Sequence, residues 1–153
     1  MSDILAIYDA IEGVTVSPVT TVKNLDSLPA SPSAAAMPMR LLLPFGAGDN
    51  EGNMLEYMDR GSNAFVDWRI IDLLLMRPVG QGEGIHTVAA LVVAYAGAYI
   101  DTMVQHRYLD DRHQLEITGV TAKPGIVEYP SGGGIYYHGC VCTLTVREAL
   151  VNP

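Results

Sequence analysis

The residues whose side chains are best suited to catalysis or metal binding lie close together near the end of the chain. His138, Cys140 and Cys142 occupy alternate positions in the stretch GIYYHGCVCTLTVREAL, residues 134–150. On a β-strand, alternate side chains point to the same face, so these three would lie side by side. Such a group could supply part of a metal site or a pair of reactive thiols. It could equally belong to a buried strand whose inner face is small and contains sulfur.

The spacing favours the buried strand. A zinc site needs more ligands than these, usually contributed as separated pairs, and the other His residues lie in other predicted elements. Free Cys is among the most buried residue types and packs like a small hydrophobic residue. We therefore expect Cys140 and Cys142 to fill the core, and we assign no metal and no cofactor. A small metal- or thiol-dependent enzyme that uses His138, Cys140 and Cys142 is the less favoured alternative.

No catalytic group is assigned either. Nucleophilic catalysis needs a base and an orienting acid beside a Ser or Cys, and the chain has only four His. His106 lies near the end of a predicted helix, where it interacts favourably with the helix dipole. Asp110 and Asp111 lie in a predicted loop and are expected to be solvated. The sequence therefore predicts a protein that is not an enzyme.

The first half of the chain combines a short helix with broken β-structure. The pattern predicts an amphipathic helix from Asp3 to Gly13 and a short apolar strand from Arg40 to Phe45. Between them, residues 24–39 are rich in Pro, Ala and Ser, which indicates an irregular arm. Two further runs, 53–60 and 64–76, read as a hairpin. In the second run, Asp72 is the polar exception on an apolar face.

The second half combines one long helix with further β-structure. Between Ile85 and about Leu109, apolar residues recur at helical spacing, namely Val88, Val92, Tyr95, Tyr99 and Met103. The continuous apolar run of this segment is short of the ~20 residues that cross a bilayer, so a buried helix is expected. Strands are predicted at 114–120, 125–129 and 135–148. The whole pattern predicts one α+β domain over residues 1–153: a mainly antiparallel sheet with one long helix packed on a face and a short N-terminal helix.

Composition restricts the possible partners. The chain is 49% hydrophobic and only 17% charged, which favours self-association. Its net charge of −8 disfavours tight binding to nucleic acid, which needs clustered Lys and Arg. The start of the chain lacks the basic region of a signal peptide, and two Cys do not make a disulfide framework. We therefore expect synthesis in a reducing cytoplasm.

The order of elements resembles the tail terminator proteins of long-tailed bacteriophages and their neck and tail-completion relatives. The resemblance covers nearly the whole chain and rests on pattern rather than on an invariant motif. The segments that carry it are the proline-punctuated LDSLPASPSAAAMPMRLLLP, then AFVDWRIIDLLLMRP, then the long helix and the closing ITGVTAKPGIVEYPSGGGIYYHGCVCTLTVRE.

The resemblance implies a virion structural protein, made in the host bacterial cytoplasm and placed at the head-proximal end of the tail. Such subunits form a hexameric ring that caps the tail tube and contacts a neck or head-completion protein. The alternative is another phage neck or head–tail connector protein. The arm at 24–39 would then contact a neighbouring subunit or ring.

A ring of this kind also suggests a use for the acidic residues. DNA would pass through the lumen without specific binding, because negative walls repel phosphate. No membrane partner is expected. The candidates for lumen or ring-contact acids are Asp49, Glu51, Glu56, Asp59, Asp110 and Asp111.

Overall fold

The described part of the chain forms two α-helices and six β-strands. The computed structural model describes residues 4–43, 55–60, 63–80, 85–129 and 135–150. The helices are α1, Ile4–Glu12, and α2, Ile85–Gln105. The strands are β1, Thr21–Lys23; β2, Met39–Leu43; β3, Leu55–Arg60; β4, Asn63–Pro78; β5, Leu115–Glu128; and β6, Tyr136–Leu150.

All six strands join one sheet. Its strand order is β1-β2-β4-β6-β5, and β3 pairs with β4 beyond the end of β2. The pair β1–β2 is parallel, while every other pair is antiparallel. Both helices belong to this α+β arrangement, and α2 packs against β4, β5 and β6. The predicted fold class is therefore confirmed, as is the predicted hairpin, which is formed by β3 and β4.

The central strands β4 and β6 have apolar residues on both faces, because the helices cover one face and the arm covers part of the other. We call the side that bears Ile70, Leu74, Cys140, Cys142 and Leu144 the helix face. These residues lie in one core with α1 and α2. We call the opposite side the arm face. It forms a second core around Met39, Leu41, Leu73, Leu75 and Tyr137.

The helices bury the residues that their spacing selects. In α2 the predicted stripe is buried, at Val88, Val92, Tyr95, Tyr99 and Met103. In α1 the buried residues are Ile7, Tyr8 and Ile11, whereas Leu5 is exposed. One turn of a short helix can direct only part of its circumference to the sheet.

The Pro/Ala/Ser-rich arm packs against its own chain. Leu28 and Met37 pack on the arm-face core, and the Tyr129 hydroxyl donates a hydrogen bond of 2.7 Å to the Pro29 carbonyl. At the start of the arm, the Asn24 amide donates to the Asp9 and Glu12 carboxylates of α1, at 2.9 and 2.8 Å. The arm is thus fastened at both ends, and Met39, its last predicted residue, already belongs to β2.

Two predictions about elements were wrong. The strands expected at 114–120 and 125–129 are one strand, β5, because its residues pair with β6 almost throughout and Lys123, Pro124 and Gly125 stay extended. A register shift between Ile117 and Gly119 absorbs one residue without ending the strand. The helix expected to reach Leu109 ends at Gln105, and it is not buried all round, as described below.

Candidate functional site

The two cysteines lie in the helix-face core, as the alternation of β6 predicts. Both are fully buried, and their Sγ atoms lie 3.6 Å apart and share a hydrogen bond. His138 is also buried. Among the described residues, no group of three or more His, Cys, Asp or Glu side chains is arranged to hold a metal ion. His138, Cys140 and Cys142 therefore share a face but do not form a three-ligand site.

The environment of the thiols does not favour a nucleophile. The hydrogen bond with Cys140 and burial both raise the pKa of Cys142, so this thiol keeps its proton near neutral pH, whereas the same hydrogen bond lowers the pKa of Cys140. Reactive cysteines need thiolate character and access to a substrate. Neither sulfur is in contact with solvent. The geometry therefore fits a packing role for both residues.

A buried polar cluster lies next to the cysteines. Arg40 and Asp72 form an ion pair with 2.6 Å between Nη2 and Oδ2, and neither side chain is exposed. Arg40 Nη1 also donates to the Val14 carbonyl at 2.6 Å. The Tyr99 hydroxyl donates to Asp72 Oδ2 at 2.8 Å. The cluster thereby connects β2, β4, α2 and the chain that follows α1.

The strand register brings this ion pair together. Leu42 lies opposite Asp72, and Arg40 lies opposite Leu74, so the two charged residues are diagonal neighbours on the helix face. Burial alone would lower the pKa of Arg40, but the Asp72 carboxylate raises it above its ordinary value, so the guanidinium stays charged. The sequence marked Asp72 as an exception but gave no sign of its partner, because Arg40 lies in an otherwise apolar strand.

Tyr95 completes the cluster with an unsatisfied group. Among the buried side-chain oxygen and nitrogen atoms of the described residues, the Tyr95 hydroxyl oxygen is the one without a hydrogen-bond partner. Burial, and then the charge of Asp72, raise the pKa of Tyr95 well above its ordinary value. The phenol is therefore neutral. The whole cluster is closed to solvent, and its chemistry serves to hold the elements together.

The exposed surface of α2 is unusually apolar. Val93 is 61% exposed and Val104 is 58% exposed. Asp101 is the only Asp, Glu, Lys or Arg among the 21 residues of the helix. We define the outer surface of α2 as its exposed small and apolar residues Ala90, Val93, Ala94, Gly97, Ile100 and Val104. Contiguous exposed apolar surface of this kind marks interaction sites on proteins.

The composition of α2 is also that of a possible membrane span. By length and composition alone, the helix over His86–Gln105 is long and apolar enough to cross a membrane. A core helix of a soluble protein can have the same length and composition, and the inner side of α2 packs on the sheet through Val88, Val92 and Tyr99. The prediction that α2 is a packed helix thus holds for one side only.

The candidate acids do not form one cluster in the described structure. The Asp110 carboxylate accepts the backbone N–H groups of Gln114 and Leu115, at 2.9 and 3.0 Å, and so organises the turn before β5. Asp111 is exposed. In the ladder of β3 with β4, at the other edge of the sheet, Glu56 lies opposite Asp67 and Asp59 opposite Ala64. Asp49 and Glu51 lie outside the described residues.

Comparison with known proteins adds no relative to these observations. No protein-family model matches the chain, and no curated protein matches it significantly. The case for a function therefore depends on two things, the apolar surface of α2 and the resemblance in the order of elements.

Proposed function

We propose that this protein is a structural subunit of a bacteriophage tail, a tail terminator that forms a ring on the tail tube and joins the tube to the neck. The observation that carries the proposal is the exposed apolar surface of α2. The resemblance of the element order to tail terminators gives that surface a role, which is contact between neighbouring subunits.

The distribution of exposed apolar residues supports such a contact. Among the large hydrophobic residues that are exposed in the described part of the chain, all but two lie in α2, in β5 or in the segments that border them, namely Val79, Leu91, Val93, Ile100, Val104, Tyr108, Ile126 and Ile135. The exceptions are Leu5 in α1 and Tyr136 at the start of β6. A ring needs one surface of each subunit to meet a different surface of the next, so a one-sided concentration suits ring assembly.

The polar interior supports a structural role as well. The charged and thiol side chains of the core are all closed to solvent, namely those of Arg40, Asp72, Cys140 and Cys142. They fix strands and helix to one another, which a subunit that bears load at a tail joint requires. The net charge of −8 favours a lumen that repels the phosphates of passing DNA.

The test is a pair of matched variants. Val93→Glu places a charge on the outer surface of α2, whereas Leu5→Glu places the same charge at an exposed apolar position on α1. We expect the unchanged protein to form rings of about six subunits, seen by light scattering across a concentration range and by negative-stain imaging. Val93→Glu should weaken the association at least tenfold, and Leu5→Glu should leave it unchanged.

Mixing with tail tubes decides between related roles. A tail terminator should cap the ends of purified tubes, and a tube end can also template the ring if the free protein is monomeric. A ring that binds head connectors but no tubes would instead identify a neck protein. A protein that neither associates nor binds tubes would contradict the proposal.

A further inference from the structure

We infer that the ring contact is a strand pairing, in which the outer edge of β5 over Thr118–Ala122 pairs with β3 of a second copy of this chain. The inference rests on the proposed ring and specifies how its neighbouring subunits join. It would make the sheet continuous from one subunit to the next.

The outer edge of β5 is paired only at its start. There the Ile117 N–H donates to the Arg107 carbonyl at 2.7 Å, and the Leu109 N–H donates to the Leu115 carbonyl at 2.9 Å. Within the described ranges, β5 ends the sheet and no strand pairs with its outer side after Ile117. A row of unpaired N–H and C=O groups is a template for an added strand.

Two features limit this edge to a short stretch. The register shift between Ile117 and Gly119 bends the strand on one side, and Pro124, which has no N–H, interrupts it on the other. Bulges and prolines are the means by which edges avoid unselective pairing. The stretch left between them is comparable in length to the six residues of β3.

The helix α2 borders the same edge with apolar grooves. One groove of about 460 Å³ lies between α2 and β5, and Ile100, Val104 and Val120 line it. A second groove, of about 180 Å³, is lined by Val93 and Ile126 among others. A strand added to β5 would run beneath this flank of α2. Alternate side chains of that strand would enter the first groove, and Ile100, Val104 and Val120 would then be covered.

A second copy of this chain, through its β3, is the occupant that a ring requires. A contact that repeats around a ring joins two different surfaces, and β3 and β5 are opposite edges of one sheet. The remaining edge, β1, has only three residues.

Hydrogen exchange of the full chain tests the pairing. We expect the outward-pointing amides of 118–122 to exchange quickly in dilute monomer and at least tenfold more slowly in the ring. Amides of 55–60 should gain protection together with them. Amides of 141–145 in β6, which pair with β4 and β5 inside the subunit, should be equally protected in both states.

Cross-linking gives a second, independent readout. Thr121→Cys is combined in turn with Glu56→Cys, Tyr57→Cys and Met58→Cys, and the assembled protein is oxidised with diamide. We expect at least one pair to give a covalent ladder of subunits on a non-reducing gel, and Thr121→Cys with Leu5→Cys to give none.

The possible failures are distinguishable. If rings form but the amides of β5 and β3 gain no protection and no pair cross-links, strand pairing is overturned while the ring survives. Amides of 118–122 that are already protected in the monomer would overturn it too. If no association occurs, with or without tail tubes, the proposed function fails and this inference fails with it.

Discussion

At the scale of single residues, the ion pair of Arg40 and Asp72 is the interaction whose disruption is expected to lower the stability of the fold most. Taking two charges out of water is costly, and the cost is offset only when both are paired and hydrogen-bonded. Here the Val14 carbonyl accepts an additional hydrogen bond from Arg40, and the Tyr99 hydroxyl donates one to Asp72. The loss of one partner would leave the other charge buried and uncompensated.

Asp72→Asn should therefore lower the free energy of unfolding by about 3–5 kcal/mol. The change keeps the size of the side chain but removes the charge that Arg40 needs. Urea unfolding, followed by circular dichroism, measures the loss. The double variant Arg40→Met with Asp72→Leu is the control and should recover much of the stability. A loss below about 1 kcal/mol in Asp72→Asn would show that water reaches the guanidinium.

Tyrosine ionisation should make the fold sensitive to alkali. Burial raises the pKa of Tyr8 from 10.0 to about 12, and its hydroxyl donates to the Leu43 carbonyl at 2.8 Å. The unfolded chain loses this proton as the pH rises above 10.0, while the folded chain keeps it until about 12. The contribution is thus fully present below pH 10.0 and is lost as the pH rises to 12.

Unfolding measured in urea between pH 9 and 11.5 checks this sign. Stability should fall by up to about 1.4 kcal/mol per pH unit for each such tyrosine. Burial also raises the pKa values of Tyr95 and Tyr99, which add to the slope. In Tyr8→Phe, the difference in bound protons between the folded and unfolded chains should fall by about one, and the slope of stability against pH should fall accordingly. An unchanged slope in that variant would contradict the assignment to Tyr8.

At the scale of elements, the sequence was informative wherever one periodicity governed a long segment. The faces of β4 and β6 and the inner stripe of α2 followed from alternation and from helical spacing, because burial selects apolar residues at those periods. The continuity of β5 could not be predicted, since Lys123-Pro124-Gly125 reads locally as a turn. Only pairing with β6 holds that segment extended. The exposure of the outer surface of α2 was hidden for a related reason: its Ala and Val residues look like core residues.

Some features of the candidate sites could likewise be predicted from the sequence, and others could not. The burial of Cys140 and Cys142 followed from the alternation of β6. The partner of Asp72 did not, because the register between β2 and β4 is a tertiary property that local sequence does not encode. The acids were chosen from composition, and the structure places Glu56 in β3 and Asp110 in the turn before β5, at opposite edges of the sheet.

Gly139 lies where the two central strands approach each other closely. A Cβ at this position would lie 2.0 Å from the Leu74 carbonyl oxygen and 3.0 Å from Val127 Cγ2. Gly139→Ala should therefore destabilise the fold by about 3 kcal/mol, because backbone must move to admit the methyl group. Gly125→Ala, where a Cβ meets nothing within 4 Å, is the matched control and should change stability by less than about 1 kcal/mol. Equal effects in a thermal melt would contradict the close approach.

At the scale of the whole molecule, the protein is strongly acidic. The net charge is −8, with 9 Lys and Arg against 17 Asp and Glu. Assembly into a ring would concentrate this charge around a central hole. In the proposed ring, the apolar surface of α2 would hold neighbouring subunits together, and the negative charge would let a polyanion pass.

The assembled protein should consequently show no affinity for duplex DNA, even at low salt. Proteins that bind phosphates bind more tightly as salt is lowered, because they release counterions. A gel-shift titration at about 20 mM salt, with protein up to about 100 μM, should leave the duplex unretarded. Retardation that disappears as salt is raised would reveal a basic patch and would argue against a repelling lumen.

The ladder of β4 with β6 also has a consequence for how the subunit is produced. Its pairs run from Ala64 with Leu150 to Pro78 with Tyr137, so the centre of the sheet joins distant parts of the chain. Contacts of such long sequence separation require costly loop closure before they become favourable, and proteins built on them fold slowly. Until β6 arrives, the apolar β4 is a strand without its main partner and is open to misassociation. The supply of correctly folded chains, rather than their final stability, is then expected to be the step at which a chaperone has most effect.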